Sequence, residues 1–214
     1  MVDTVPDILL ARSARVRLPA RSWRKRALDL TISGAALALF LPLLCVIALA
    51  IWLDGGGPIF FRQQRTGLYG RPFTILKFRT MRVHHDPGAT QARRGDPRIT
   101  RVGRILRKLS FDELPQLINV LKGDMSLVGP RPHAMCHDAE WSRRIADYRK
   151  RFDTRPGLTG LAQVRGFRGE IHDDEGLRKR IAADREYIET WSFTSDLALL
   201  LKTAPLVLAD ANAY

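Results

Sequence analysis

LTISGAALALFLPLLCVIALAIWL, residues 30–53, carries no charged side chain, holds Pro42 near its middle and is fenced by Asp29 and Asp54. Its 24 residues meet the length test for a membrane-crossing helix, because a hydrocarbon core of about 30 Å needs roughly 20 residues at about 1.5 Å each. Its surroundings argue against a plain span. Seven basic residues precede it, Arg12, Arg15, Arg17, Arg21, Arg24, Lys25 and Arg26, and Arg62, Arg65, Arg71, Lys77, Arg79 and Arg82 follow. Since Lys and Arg favour the cytoplasmic side, a straight crossing would place one basic flank on the wrong face. Pro42 removes a backbone donor, clashes with the carbonyl of Ala38 and bends a helix, leaving arms of about 18 Å or less on either side. A helix broken there can enter and return to the same face, provided the freed backbone finds partners. The residues leave a proline-kinked span and a re-entrant hairpin both open.

Outward from this stretch, the chain divides into a basic leader (1–21), the membrane element (22–54) and a domain (55–214) of ordinary single-domain size. The net charge of +13 and pI near 10.6 call for an anionic partner: a phosphate-bearing substrate, acidic lipid or nucleic acid. A membrane segment tilts that choice toward the first two. Two cysteines, Cys45 and Cys136, make no disulfide framework and suit a reducing compartment.

The composition predicts a strand hairpin over 59–64 and 73–81 with its turn at 67–70, a polar loop over 84–98, a basic helix over 99–108 and a further helix beginning at Ser110. Helices are also predicted over 133–152 and 173–191, a short strand over 161–164, and a leucine-rich interfacial helix over 195–209. The fold class is therefore mixed α/β, helix-rich, with a small sheet, interfacial amphipathic helices and an N-terminal membrane helix.

Asp112 and Glu113 stand out within this frame. Ser110-Phe-Asp-Glu113 matches a capping box, and capping is the plain reading of both acids. Their company supports another. Arg107 and Lys108 precede them, and an aspartate at a helix N-terminus stays ionised and can attack phosphorus, leaving Glu113 to hold a metal or move a proton. Phosphoryl transfer needs charge neutralisation, so cations and Mg2+ are expected nearby. Arg131, confined between two prolines, suits bidentate phosphate binding, with an ordinary surface-loop arginine the equal alternative for this motif taken alone. Arg155 beside a Pro-Gly turn repeats the pattern, and Lys77 and Arg79 alternate on one strand face, phosphate-lining or merely solvated. The His84-His85 pair lacks zinc spacing. Walker, G-x-G-x-x-G and G-x-S-x-G motifs are missing, and no zinc-finger or RNP pattern supports a nucleic-acid partner.

The order of KRALDL, PIFFRQQRTG, FTILKFRTM, DPRITRVGRILRKLSFDELPQLINVLKGDMSLVGPRP, RPGLTGLAQVRG and YIETWSFTSDLALLLKT resembles the bacterial sugar transferase family, the monotopic polyprenyl-phosphate phosphoglycosyl transferases, over about residues 21–208. The resemblance implies a re-entrant helix broken at Pro42 and a cytoplasmic-face location on the bacterial inner membrane with both termini cytoplasmic. It implies that Asp112 attacks a UDP-sugar, releases UMP and passes the sugar-phosphate to polyprenyl (undecaprenyl) phosphate. Glu113 matches the partner acid, Mg2+ the cofactor, and Arg107, Arg131, Arg155, Lys77 and Arg79 match phosphate-site positions. Asp184 matches an acid without an assigned role. The family commonly breaks its helix at Ser-Pro, whereas this chain has Leu41-Pro42. The short form resembles exopolysaccharide hexose-1-phosphate transferases, so glucose or galactose is the expected sugar. The rival from another class is a non-catalytic, membrane-anchored basic module for acidic lipid or nucleic acid.

Overall fold

A computed structural model describes residues 19–82, 95–167, 169 and 173–209, the last six by main chain only. Most of the leader, including Arg12, Arg15 and Arg17, and the loop residues His84 and His85 lie outside the described residues.

Helix α1, Trp23–Leu53, starts where Ser22 accepts from the Lys25 N–H and contains Pro42. The break predicted at Pro42 is not seen: the helix runs continuously through the proline. A proline withholds one donor, and its fixed φ is helical, so turns on both sides can form. Buried or half-buried positions Lys25, Asp29, Ser33, Ala36 and Leu37 before the proline and Leu43, Leu44, Ile47 and Ile51 after it follow helical spacing, making two packed stretches separated by residues 38–42 around Pro42. The residues from 38 to 42 are all exposed, and Leu39, Leu41, Val46, Leu49, Trp52 and Leu53 form an apolar outer face. It is the one helix among the described residues long and apolar enough to cross a membrane.

Both ends of α1 are fastened to the same body. Lys25 Nζ donates to Asp196 Oδ2 at 2.7 Å, Val128 O at 2.9 Å and the Tyr187 hydroxyl at 3.1 Å. Arg26 donates to the carbonyls of Val120 and Leu121. Asp29 accepts from the Leu127 N–H and the Ser126 hydroxyl. At the far end Asp54 accepts from the Val102 N–H at 3.0 Å, and Arg79 donates to the carbonyls of Ile51 and Gly56. Lys25, Arg26 and Arg79 are therefore not lipid-facing flank charges; the protein interior engages them.

The hairpin forms as expected, with β1 (Phe60–Thr66) antiparallel to β2 (Pro72–Phe78) and Gln63 opposite Ile75. Helix α2 (Arg101–Lys108) is capped by Thr100, and α3 (Gln116–Lys122) ends at Gly123, whose φ is 90°. A second, parallel pair joins β3 (Ser126–Val128) to β4 (Gly157–Thr159). The strand expected over 161–164 is instead a helical turn, α5 (Leu161–Val164), and the extended segment lies just before it. Glycines decide this: a Cβ on Gly157 would lie 2.1 Å from Gly129 N, and one on Gly160 would lie 2.2 Å from Gly129 O. The GPRP and RPGLTG segments thus pack backbone against backbone.

The single helix expected over 133–152 divides into α4 (Met135–Arg144) and a 3-10 turn (Tyr148–Asp153) entered through Asp147 at φ 63°. Helices α6 (Asp174–Glu189) and α7 (Phe193–Ala209) complete the chain. The main core gathers Phe73, Ile75, Leu117, Val120, Met125, Leu127, Tyr187 and Leu199, with Ala36 and Leu37 of α1 against it. Ile47 and Ile51 of α1 pack with Phe78 and Leu106 in a second cluster. The fold is mixed and helix-rich with two small sheets and one long apolar helix.

Candidate active site

Asp112 and Glu113 lie in a 3-10 turn, Phe111–Glu113, between α2 and α3. Ser110 enters at φ 57° with no side-chain cap, so the predicted capping box does not form. The reason is Glu113 itself. Its Oε1 accepts from Lys77 Nζ at 2.8 Å, and Arg131 donates to both carboxylate oxygens. Charge-assisted bonds of this kind are stronger than a return bond to a neutral N–H. Burial alone would raise the Glu113 pKa, but Arg131 and then Lys77 outweigh it and hold this carboxyl well below the usual range.

Asp112 is the opposite case. It is half-buried and makes no hydrogen bond or salt bridge among the described residues. Burial raises its pKa; Lys77 pulls it down, Glu113 pushes it up, and Arg107 and Arg131 lower it, with a net upward shift. The aspartate expected to remain simply ionised is thus pushed toward its neutral form. Two adjacent carboxyls are set apart by environment, one clamped and one open, a pattern that separates chemical roles.

The structure brings together Asp112, Glu113, Lys77 and Arg131, with Arg107 close enough to act on Asp112. It does not bring Arg79 or Arg155 into this group. Arg79 caps the C-terminal end of α1, and Arg155 donates to the carbonyls of Gly123 and Ala20 at 2.9 and 3.0 Å. Pro42 lies on α1, outside the acid pair's contacts.

Two arginines join the site that sequence reasoning had not singled out. Arg65 on β1 and Arg180 on α6 have pKa values brought down to about 10, first by burial and next by the charge of Arg131. Each keeps a buried Nε without a hydrogen-bond partner among the described residues. Positive charge gathered this closely favours an anionic occupant. The alternation of Arg65 with Gln63 on one strand face was the available signal, and Gln63 does accept from Arg65 at 2.6 Å.

Beneath Arg131 lies a buried polar group: His133, Asp138, Tyr148, Arg151 and Asp184. Burial, then the charge of Arg151, keeps the His133 imidazole neutral, with its pKa well below the ordinary value. Burial raises Asp184, against the opposing pull of Arg151.

No three His, Cys, Asp or Glu side chains gather as a metal site among the described residues. Mg2+ commonly takes one or two carboxylates and completes its shell with substrate phosphates and water. The open carboxylate of Asp112 fits that role, whereas both Glu113 oxygens are engaged by cations. The residues suit an ion that arrives with a phosphate rather than a protein cage.

The Bacterial sugar transferase family matches residues 20–210. The chain is 59% identical over 192 residues to the UDP-glucose:undecaprenyl-phosphate glucose-1-phosphate transferase of Caulobacter vibrioides, covering 89% of this chain and 72% of that protein. It is 47% identical over 191 residues to the Escherichia coli protein of the same name, covering 89% and 41%. A UDP-N-acetylgalactosamine-undecaprenyl-phosphate N-acetylgalactosaminephosphotransferase of Aeromonas hydrophila is 41% identical over 196 residues, covering 91% and 46%. The chain thus spans less than half the length of the latter two relatives. With the match running from the foot of α1 through α7 and including the acid pair and its cations, the chain belongs to the bacterial sugar transferase family.

Proposed function

We propose that this chain transfers a sugar-1-phosphate from a UDP-sugar to polyprenyl phosphate, here undecaprenyl phosphate, giving polyprenyl-diphosphate-sugar and UMP. The observation that carries the proposal is the contrast between Asp112, without a hydrogen-bond or salt-bridge partner among the described residues, and Glu113, clamped by Arg131 and Lys77. The names of the relatives support the substrates, and the glucose transferases among them favour UDP-glucose as donor.

In the first step an Asp112 oxygen attacks the β-phosphorus, the bond to the bridging oxygen breaks, and UMP leaves with that electron pair. In the second, an oxygen of the polyprenyl phosphate attacks the same phosphorus and the Asp112 carboxylate departs. Lys77, Arg107 and Arg131 stabilise the charge on the transferring group, with Arg65 and Arg180 adding to the field. Glu113 holds Lys77 and Arg131 in place and is positioned to exchange these cations with incoming phosphate. Mg2+, held by Asp112 with the substrate phosphates, would supply further charge neutralisation.

Residues 22–54 act as a re-entrant membrane element and 55–214 as the catalytic domain at the cytoplasmic face. Support comes from α1: its two ends are bonded to one polar body, its packed positions resume on that body after an interruption at 38–42, and the segment around Pro42 is wholly apolar and exposed. A straight crossing would carry that polar body into hydrocarbon.

The test is UMP release from purified protein with Mg2+, undecaprenyl phosphate and a panel of UDP-glucose, UDP-galactose and UDP-N-acetyl sugars. Wild type should release UMP with one donor and retain phosphosugar covalently when the acceptor is omitted; Asp112→Asn should do neither. Silence from wild type with every donor would favour the non-catalytic basic module instead.

A further inference from the structure

Pro130 and Pro132 deprive the 129–132 turn of two main-chain donors, so neighbours must hold it. Gly129 N–H donates to Thr159 O at 2.8 Å, and Gly157 N–H donates to Pro130 O at 2.9 Å. The third fastening is a side chain: Arg151 Nη2 donates to Arg131 O at 2.6 Å. The same nitrogen donates to Asp184 Oδ2 at 3.0 Å. Nη1 reaches the Tyr148 hydroxyl at 2.9 Å and Asp138 Oδ1 at 3.4 Å, while Tyr148 donates to Asp138 Oδ1 at 2.5 Å.

The Arg151 and Asp184 side chains are each only 2% exposed. A guanidinium and two carboxylates buried this deeply are not a stability device, because apolar side chains of similar volume commonly serve as well or better. Trp141, Ile145, Leu177 and Ile181 already build an apolar cluster with Tyr148 at this place. What no apolar side chain can do is donate to the carbonyl of Arg131, the residue whose guanidinium clamps Glu113 beside Asp112. Small displacements of such groups have large effects on rate.

We infer that Arg151, oriented by Asp184 and Asp138, is a positioning residue that fixes the main chain of Arg131 and so sets the clamp on Glu113. Asp184 thereby acquires a role two contacts removed from the reacting atoms. The inference rests on reading Asp112 and Glu113 as the working pair.

Two variants of the full chain in lipid nanodiscs test it. Arg151→Lys keeps a buried positive charge for Asp138 and Asp184 but lacks a planar fork to join them to Arg131 O. Asp184→Asn keeps shape and one acceptor oxygen. Thermal melts establish folding, and Asp184→Asn decides by the same readings if Arg151→Lys does not fold. The first reading is hydrogen exchange at the Arg131 guanidinium, followed by 15N NMR; in wild type this group donates to both oxygens of Glu113. Its protons should exchange about tenfold faster in the variants, because the main chain that aims them is no longer held. The second is kinetic: kcat should fall about tenfold with a smaller change in KM, and the same change should have little effect in an Arg131→Met background, because residues acting through one another do not add. Unchanged exchange at the Arg131 guanidinium in a folded variant, or losses that add fully to those of Arg131→Met, would overturn the inference. The exchange reading decides even if wild type releases no UMP, so failure here and failure of the transferase reading are separable.

Discussion

On the proposed mechanism Asp112 carries opposite demands: it must be ionised to attack phosphorus, yet burial pushes its pKa above the ordinary aspartate value. UMP release should therefore be lost on acidification beginning at a higher pH than an exposed aspartate would give, and a pH profile of kcat/KM checks this. The sign for stability follows from the same shift. The folded chain holds the Asp112 proton to higher pH than the unfolded chain, so the ionised group opposes folding at neutral pH. Asp112→Asn should accordingly melt at or above the wild-type temperature at pH 7 while losing turnover. Glu113 behaves in reverse: its lowered pKa contributes stability that is present above the unfolded value and lost as pH falls through the folded one. Glu113→Gln, which leaves Arg131 and Lys77 without their counter-charge, should cost about 1–3 kcal/mol in a denaturant melt. The acid pair was legible because its basic company is local in sequence. The partners of Arg79 and Arg155 were not, because a cation's partner is set by tertiary approach: both serve carbonyls of segments distant along the chain.

At the scale of elements, hairpin and helices were legible wherever periodicity and turn chemistry are local. The β3–β4 pair was hidden because each strand has three residues and depends on glycines meeting across the chain. That dependence is testable. Gly157→Ala places a methyl where Gly129 N lies 2.1 Å away, so it should unfold or strongly destabilise the protein in a thermal melt. Gly34→Ala, with nothing within 4 Å, should be neutral or stabilise by up to about 1 kcal/mol as a helix-interior change. Helix α1 offers its own probe, because Trp23 and Trp52 are 74% and 57% exposed near its two ends. With the other two tryptophans replaced by phenylalanine, a brominated lipid confined to one leaflet should quench both if the helix returns to the face it entered. Quenching of one alone would mean a crossing.

Over the whole molecule, the net charge of +13 suits the acidic surface and the two phosphorylated substrates proposed for it. Its count overstated the outward share, since Lys25, Arg26, Arg79, Arg151 and Arg155 all bond inward. Composition reports how much charge a chain has; only the fold decides which way it points. Helix α1 illustrates the same lesson with apolar residues. Ala36 and Leu37 pack on the main core, and Ile47 and Ile51 close the cluster around Phe78 and Leu106. The helix proposed to meet lipid is thus also a retaining wall, and trimming it away is the wrong route to a water-soluble form of the chain. A chain started at Asp54 should expose both clusters and lose the Lys25–Asp196 tie, giving aggregated or molten material by near-UV circular dichroism. Polar replacements confined to the outer face, at Leu39, Leu41, Val46 and Leu49, should leave the interior packed and weaken only the hold on the bilayer.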